Sequence, residues 1–561
     1  MTLVAKSMLY WNTLRYLKPV QFYGRLWFKF RKPKVGAFAS APSLRERTGQ
    51  WQPPVEHKPT MLGASRFRFL NVEHDMPPQG GWNATALEKL WLYNLHYFED
   101  LNAEGAYDRT AWHSALIQRW VAENPPTFGS GWEPYPTSLR IVNWVKWALA
   151  GNTLQTSCVQ SLAIQTRWLC KRLEVHLLGN HLFANAKALV FAGLYFEGPE
   201  AGQWLAKGLS ILALELHEQV LADGGNFERS PMYHAIFLGD MLDLLNIAGA
   251  YTNHVPKKLV VTWRDASLRM LDWLLGMTHP DGQIALFNDA AFGIAATADE
   301  LANYAVRVQG IEALLSELPR RRALENGKSG LHLSQWADSG YIRLQCADAA
   351  ALLDVAPIGP DYLPGHAHAD TLSFELSVLG QRVIVNGGTS RYGLGSERLR
   401  ERQTVNHSTV EIDGQSSSEV WCGFRVARRA YPFNLVVSQG ADVLSVACSH
   451  DGYKRLPGKP VHRRNWEFSS SQLVVADSVL GGLLPAVSRY ILHPDVSVDR
   501  VAVDSFQVRL ANGRLIVVTI IKGTGRLERA CYASEFGKVR PTHSIVVDLQ
   551  DGKAQVRWSW S

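Results

Sequence analysis

Cysteine is scarce and scattered: Cys158, Cys170, Cys346, Cys422, Cys448 and Cys531 are the six in 561 residues, and none forms a CxxC pair. That spacing excludes a disulfide framework and a thiolate zinc site. No apolar run is long enough to span a bilayer, so no transmembrane helix is expected. The opening stretch has no apolar core followed by a small-residue cleavage site. No cleavable signal peptide is therefore expected, which reads as a cytoplasmic protein. Long blocks of one charge are missing too: 58 Lys and Arg against 51 Asp and Glu leave a net charge of +7. Such a balance does not demand a nucleic-acid partner, and none is expected; an acidic substrate fits it. HExxH, a Gly-rich phosphate loop ending in Lys-Ser/Thr and a nucleophile elbow are all absent. That argues against zincin, P-loop and α/β-hydrolase chemistry. No fixed-length repeat is visible, so a strict solenoid is not expected.

What is there is an ordinary globular composition, 46% hydrophobic and 19% charged, with core enough for two or three domains. Residues 1–75 read as an irregular segment containing the Pro-rich stretch WQPPVEHKP. Its Trp-, Arg- and Lys-rich opening suits either packing on the body or peripheral contact with a membrane surface. From about residue 76 to 325 the pattern is helical: Leu87, Leu90, Trp91, Leu95 and Phe98 recur at three- and four-residue spacings, as do Trp112, Leu116 and Trp120. Further helices are expected near 145, 168, 188, 210, 241, 268 and 304, with short breaks that imply antiparallel hairpins. Residues 326–561 alternate, favour Val and Ile, and turn at Gly or Asn-Gly, the texture of antiparallel strands. The expectation is an α + β multidomain chain with a cleft between the two main domains.

Four clusters place polar groups at the mouths of elements. They are Asn180-His181 before an apolar run, Tyr233-His234 in NFERSPMYH, His366 and His368 in PGHAHADTLSFEL, and His407 in NHSTVEID. An earlier segment, GSGWEPYPTSLRIVNWVKW, adds Trp132, Tyr135 and Arg140 as substrate-contact candidates, and His234 joins them. Asn180 alone would serve as a helix cap, and Tyr233 or His181 alone as a packed, hydrogen-bonded core residue. Alternation points His366 and His368 one way, as a metal or proton-transfer site requires. Glycoside hydrolysis stays open through Glu228, Asp281 and Asp289, which supply the two carboxylates it needs. The prominent groups are Asn, His and Tyr, however, and they suit β-elimination beside a uronate. That reaction needs the carboxylate neutralised, the α-proton taken by a base, and the leaving glycosidic oxygen protonated.

GNHLFANAKALVFAG, NFERSPMYHAIFLGDMLDLL, GHAHADTLSFELSVLGQRVIVNGGT and QTVNHSTVEIDG, in that order, resemble the heparinase II/III family of polysaccharide lyases, which is similar to the oligoalginate lyases. The resemblance implies an incomplete N-terminal (α/α) toroid, a C-terminal antiparallel β-sandwich, and cleavage of a uronic-acid-containing polysaccharide by β-elimination. It implies that Asn180 binds the carboxylate, with His181 as its partner or as a base. It also implies that Tyr233 is the general acid, or both acid and base, and that His366 reaches across from the β domain. No cofactor is required. Some relatives hold a structural zinc through the second His of the HxH segment, a strand Asp and a later His. His368 and His407 match those positions, but Asn386 stands where the Asp is expected, with Asp370 as a substitute. Polymer-degrading relatives are usually exported, which makes the periplasm the alternative location. A form kept in the cell would work beside capsule or exopolysaccharide assembly. The rival reading is a non-catalytic polysaccharide-binding or assembly protein on the same scaffold.

Overall fold

The structure is a computed structural model that describes residues 3–33, 39–310, 330–482 and 484–560. The expected 325/326 domain boundary lies outside the described residues. The first 75 residues are not irregular throughout. They carry helices α1 (Leu3–Leu14) and α2 (Pro19–Phe30) and a hairpin of β1 (Arg66–Phe69) and β2 (Val72–Asp75). Mixed Trp, Lys and Arg blur the apolar period there, whereas Pro19 at the first position of α2 supplies a real start signal.

Among the described residues up to 310, nine α-helices follow: α3 (Lys89–Tyr97), α4 (Thr110–Glu123), α5 (Pro134–Leu149), α6 (Thr156–Lys171), α7 (Gly179–Tyr195), α8 (Pro199–Gln219), α9 (Pro231–Ala250), α10 (Lys257–Gly276) and α11 (Ala298–Gln309). They form the open toroid. Helices α5, α7 and α9 pack side by side as an inner layer, and α6, α8 and α10 pack outside them. Burial follows that layering. Helix α7 buries 15 of its 17 residues and α9 15 of its 20. Outer α8 buries only seven of 21, at Ala201, Trp204, Leu205, Gly208, Leu212, Leu216 and Gln219, the one-sided spacing of a surface helix. Successive inner helices are separated by an outer helix running back, so they are parallel and their N-termini share one rim.

An all-buried helix must account for its polar groups. The buried Lys187 ammonium lies 2.5 Å from Asp240 Oδ1 and from Asp243 Oδ2, and Lys146 completes the set at 2.5 Å from Asp243. The α7–α8 crossing is close because Gly193 meets the backbone of Leu205. A Cβ on Gly193 would stand 2.6 Å from Leu205 N.

Beyond the helices lies the sandwich. One sheet has β19 (Thr524–Glu535), β20 (Lys538–Asp548), β15 (Ala486–Leu492), β7 (Gln381–Val385), β6 (Phe374–Val378), β5 (Ala349–Asp354), β4 (Tyr341–Gln345) and β3 (His332–Trp336) in that order, with β8 (Val410–Ile412) on β15. The other runs β11 (Pro432–Gln439), β12 (Leu444–His450), β13 (Val461–Phe468), β14 (Gln472–Leu480), β21 (Lys553–Trp560), β18 (Leu515–Lys522), β17 (Ser505–Arg509) and β16 (Ser497–Ala502). Every ladder between the named strands is antiparallel; Val461↔Leu480 and Leu376↔Ile384 set two of the registers. The inward residues, Phe374, Trp466, Tyr490 and Trp558 among them, form one core between the sheets. A small ribbon of β9 (Val420–Trp421) and β10 (Arg425–Val426) packs against α1 and against the short helix α12 (Ser396–Arg402), whose Arg398 reaches Asp289 on the toroid side. Across that junction Arg382 pairs with Asp281, and His279 contacts Glu375 at 3.0 Å.

Gly193→Val is expected to force α7 and α8 apart and cost about 1–3 kcal/mol, read as a lower melting temperature. An unchanged melting temperature would show that the crossing yields freely.

Candidate active site

The parallel inner helices bring Tyr135 on α5, Asn180 and His181 on α7, and Tyr233 on α9 to the same rim, where all four line one cleft of about 1320 Å³. Pockets for single small ligands run to roughly 300–1,000 Å³, so this one has room for several units of a polymer. The positive ends of the inner helices face into it, which favours an anion there.

Local backbone explains the placement. Leu178 and Gly179 both have positive φ, +61° and +53°, and turn the chain abruptly into α7. A Cβ on Gly179 would stand 2.5 Å from Leu363 and 3.0 Å from Glu228 Oε1, so only glycine fits. Ser230 caps α9 by accepting from the Tyr233 N–H, and Pro231 opens the helix. The same Ser230 hydroxyl donates to the Asp289 carbonyl at 2.5 Å. Arg229 and Asn288, beside these site residues, also have positive φ. The Asn288 amide holds both loops, donating to Arg229 O and accepting from His368 N, each at 3.0 Å. Strained backbone thus gathers where the polar groups converge.

His366 enters from the sandwich side. Its ring lies 3.8 Å from the Tyr233 ring, centre to centre, so the two distant segments do meet. Its Nδ1 donates to Asp289 Oδ2 at 2.9 Å, leaving Nε2 as the lone-pair nitrogen. Asp289 is fully buried and also accepts from Arg398, in two hydrogen bonds, and from His368 Nε2 at 2.8 Å. Burial alone would raise its pKa, but Arg398 and the two imidazoles outweigh burial and hold it well below the usual carboxylate range. The Tyr233 hydroxyl sits 2.9 Å from that of Tyr392. Burial, with Tyr392 and Asp289 nearby, raises the Tyr233 pKa well above its ordinary value, so it keeps its proton. His181 Nδ1 faces Glu174 Oε2 at 3.3 Å. Burial opposes its charge, yet Glu174 prevails and the imidazole pKa is raised. The Asn180 side chain makes no hydrogen bond among the described residues and lines the cleft.

Three expected substrate contacts are instead structural. Trp132 is buried and donates to Asn124 O at 3.2 Å. Arg140 is buried over the Trp120 ring at 3.8 Å, with its guanidinium donating to Gln165 and Gly131 O. His234 is buried between Met270 O at 2.8 Å and Asn226 N at 3.2 Å, and burial lowers its pKa to about 3. Each fills the hydrogen-bonding needs of a packed interior, which sequence spacing does not distinguish from a cleft wall. Among those four, Tyr135 lines the cleft and packs on His181, ring centres 4.6 Å apart. Tyr392, Glu174 and Arg398 were missed. They sit in stretches with no periodic signal, and only the fold brings them here.

His368 and His407 are neighbours, with His368 Nδ1 3.1 Å from His407 Nε2. Their outer nitrogens serve Asp289 Oδ1 and the Gln403 carbonyl. The residues around them do not make a zinc set. Asn386 spends its amide oxygen on the Ser408 N–H, and Asp370 accepts from the Asn288 N–H. Among the described residues no group of three His, Cys, Asp or Glu converges for a metal. Structural zinc takes four such donors.

A helical toroid joined to an antiparallel sandwich, with both contributing to one polymer-sized cleft, defines the class of protein. Residues 105–308 match the heparinase II/III N-terminus and residues 329–560 the heparinase II/III-like C-terminal domain; the chain belongs to the heparinase II/III family. A heparin-sulfate lyase of Bacteroides stercoris is 24% identical over 346 residues, 57% of this chain and 47% of that protein. One of Pedobacter heparinus is 28% identical over 255 residues, 42% of this chain and 36% of that one. The matched stretch therefore spans less than half of each curated relative. Among solved structures, a heparinase III superposes with a TM-score of 0.68 at 19% identity, covering 86% of this chain and 80% of the other. A heparan sulfate lyase of Pedobacter heparinus gives 0.58 at 17% identity, covering 97% and 88%. At such identities the likeness establishes the fold.

Asp289→Asn removes the charge that Arg398 and both imidazoles depend on. It is expected to cost about 3–5 kcal/mol and to release the His366 Nδ1–H tautomer, read by nitrogen NMR of the imidazoles. A retained tautomer would show that Asp289 does not orient His366. Purified protein is expected to carry no stoichiometric zinc and to melt at the same temperature in chelator. One zinc per chain, with melting lowered by chelator, would contradict the donor-set argument.

Proposed function

We propose that the chain is a polysaccharide lyase that cleaves a uronic-acid-containing polysaccharide by β-elimination. The observation that carries this reading is the meeting of Tyr233 with His366 across the domain junction, on the same cleft as Asn180 and His181. The Asn180 amide and the His181 imidazolium receive the uronate carboxylate. They stabilise the charge that spreads onto it as the C5 proton leaves. His366 Nε2, whose lone pair is fixed by the Nδ1–H bond to Asp289, takes that proton. Tyr233 stays protonated and gives its proton to the glycosidic oxygen on C4 as the C4–O bond breaks. The C4–C5 double bond forms with no water added, and the proton on His366 returns to Tyr233 after release. Tyr392, 2.9 Å from the Tyr233 hydroxyl, holds that hydroxyl in line.

A hydrolase reading needs two free carboxyls facing one bond. Asp289 is consumed by Arg398 and the imidazoles, and Asp281 by Arg382. That leaves Glu228, 4.0 Å from His366 Nε2, whose pKa burial raises despite the two nearby imidazoles. One carboxyl of this kind does not make the pair. The cleft's positive residues, Lys89, Arg25 and Arg425 among them, favour an acidic polymer.

Tyr233→Phe should keep the ring packing and lower turnover by a factor of about 10² to 10⁴ with little change in oligosaccharide affinity. Asn180→Ala should weaken both binding and turnover, because it meets the carboxylate in the ground state and the transition state. Initial rates of unsaturated product, set beside affinities, decide both; wild-type turnover in Tyr233→Phe would remove the tyrosine from the mechanism. The raised His181 pKa means its charge is present at low pH and is lost as pH climbs through that value. KM should therefore rise on the alkaline side, and His181→Gln should flatten the rise. A pH-independent KM in the wild type would show that His181 does not carry the carboxylate.

A further inference from the structure

The first two helices present an apolar face to solvent. Helix α2 binds the body through one side only. Gln21 and Gly24 are buried, Gly24 lies against His176, and the Phe28 ring sits under the Arg172 guanidinium at 3.5 Å. On its other side Tyr23, Leu26, Trp27 and Phe30 follow one another at the spacing of a helical stripe, and they are 63%, 61%, 58% and 75% exposed. Helix α1 adds Trp11, 66% exposed, and Met8. Of the 28 large hydrophobic side chains exposed among the described residues, nine lie in the first 30 positions. A soluble body rarely gathers such a patch without a partner.

The charge around it is of one sign. Nine Lys and Arg precede the first acidic residue, Glu46. Lys18 pairs with Glu218 on the body. Among the described residues Lys29, Arg31 and Lys32 have no carboxylate partner, and Arg31 stacks on Trp27 at 4.6 Å. Aromatic and aliphatic side chains rimmed by uncompensated cations match the boundary layer of an anionic bilayer. A second copy would set cation against cation across a two-fold axis. A sugar chain would find no hydrogen-bonding groups on Leu26 or Phe30.

We propose that α1 and α2 form a membrane-surface anchor that lays this face in the headgroup layer of an anionic phospholipid bilayer. Other residues of the same helices, Tyr10 and Leu14 on α1 and Gln21 and Arg25 on α2, line the cleft. Anchoring therefore sets the cleft beside the lipid surface. The proposal does not depend on the reaction assigned above.

The test is co-sedimentation of the full chain with vesicles of phosphatidylglycerol and phosphatidylethanolamine, against vesicles of phosphatidylcholine alone. Binding should be confined to the anionic vesicles and should weaken as salt screens the cations. Leu26→Ser with Trp27→Ser and Phe30→Ser should lower the partition coefficient at least about tenfold. The same variant should keep the wild-type melting temperature and the wild-type rate on soluble polymer. Equal partition of variant and wild type would overturn the proposal, as would no binding to anionic vesicles. A wild-type dimer in light scattering that the triple variant dissolves, without lipid binding, would assign the face to a second copy and likewise overturn it.

Discussion

The buried carboxylate of Asp289 holds the two halves of the molecule in working relation. It sits on the toroid side, in the segment between α10 and α11, yet its partners Arg398, His366 and His368 all come from the sandwich side. An unpaired charge there would cost several kcal/mol; with Arg398 and two imidazoles around it, the charge is kept and becomes a fixed point. The consequence is directional. His366 must donate through Nδ1 to satisfy Asp289, so Nε2 is left on the cleft side, 4.0 Å from Glu228 Oε2, with the ring stacked on that of Tyr233. One ion pair thereby decides the domain junction, the tautomer of the proposed base and its distance from the proposed acid.

The toroid contributes through geometry. Because inner helices alternate with outer ones, their N-termini gather at one rim. Residues at three helix starts, Tyr135, Asn180 with His181, and Tyr233, therefore become neighbours although nearly a hundred positions separate the first from the last. Burial then differentiates them. Tyr233 is driven to keep its proton, while Glu174 helps His181 to hold one. The pairing of a proton-keeping phenol with a lone-pair imidazole is what elimination requires of an acid and a base.

Much of this was legible in the sequence, and the reasons for the rest are physical. Long apolar runs mark α7 and α9, which are buried nearly all round; β6 and β7 are buried on both faces, and their alternation separates apolar residues in the sandwich core from Glu375, Ser377 and Arg382, which meet His279 and Asp281. Tyr233 stood out because a Ser-Pro start has a local signature, and Asn180 because it opens an apolar run; Asn180 is not the cap, which falls on Leu178, so its amide is left for the cleft. Trp132, Arg140 and His234 misled because a polar group satisfied inside a core has the same composition as one waiting for a ligand; only the contacts of Arg140 with Gln165 and Gly131 separate the two. Arg402 and Arg429 stand in arginine-rich stretches of the sequence, yet both are buried and donate to the carbonyls of Ala367 and Ala427. Asp289 was visible as a carboxylate suited to hydrolysis, but its partners lie 77 to 109 residues away, beyond any local pattern. The first helices read as irregular because Trp, Lys and Arg interleave there and blur the apolar period.

The central claim is that this cleft breaks a uronate's C4–O bond by elimination. The most direct measurement is the mass of the fragments released from defined uronate-containing oligosaccharides. Elimination leaves the fragment that keeps the original reducing end lighter by one water than its hydrolytic counterpart, with a conjugated ultraviolet chromophore on the uronate at its new non-reducing end. Fragments of that mass from the wild type agree with the account, whereas fragments carrying an added water, or tight binding with no fragments across the uronate panel, contradict it.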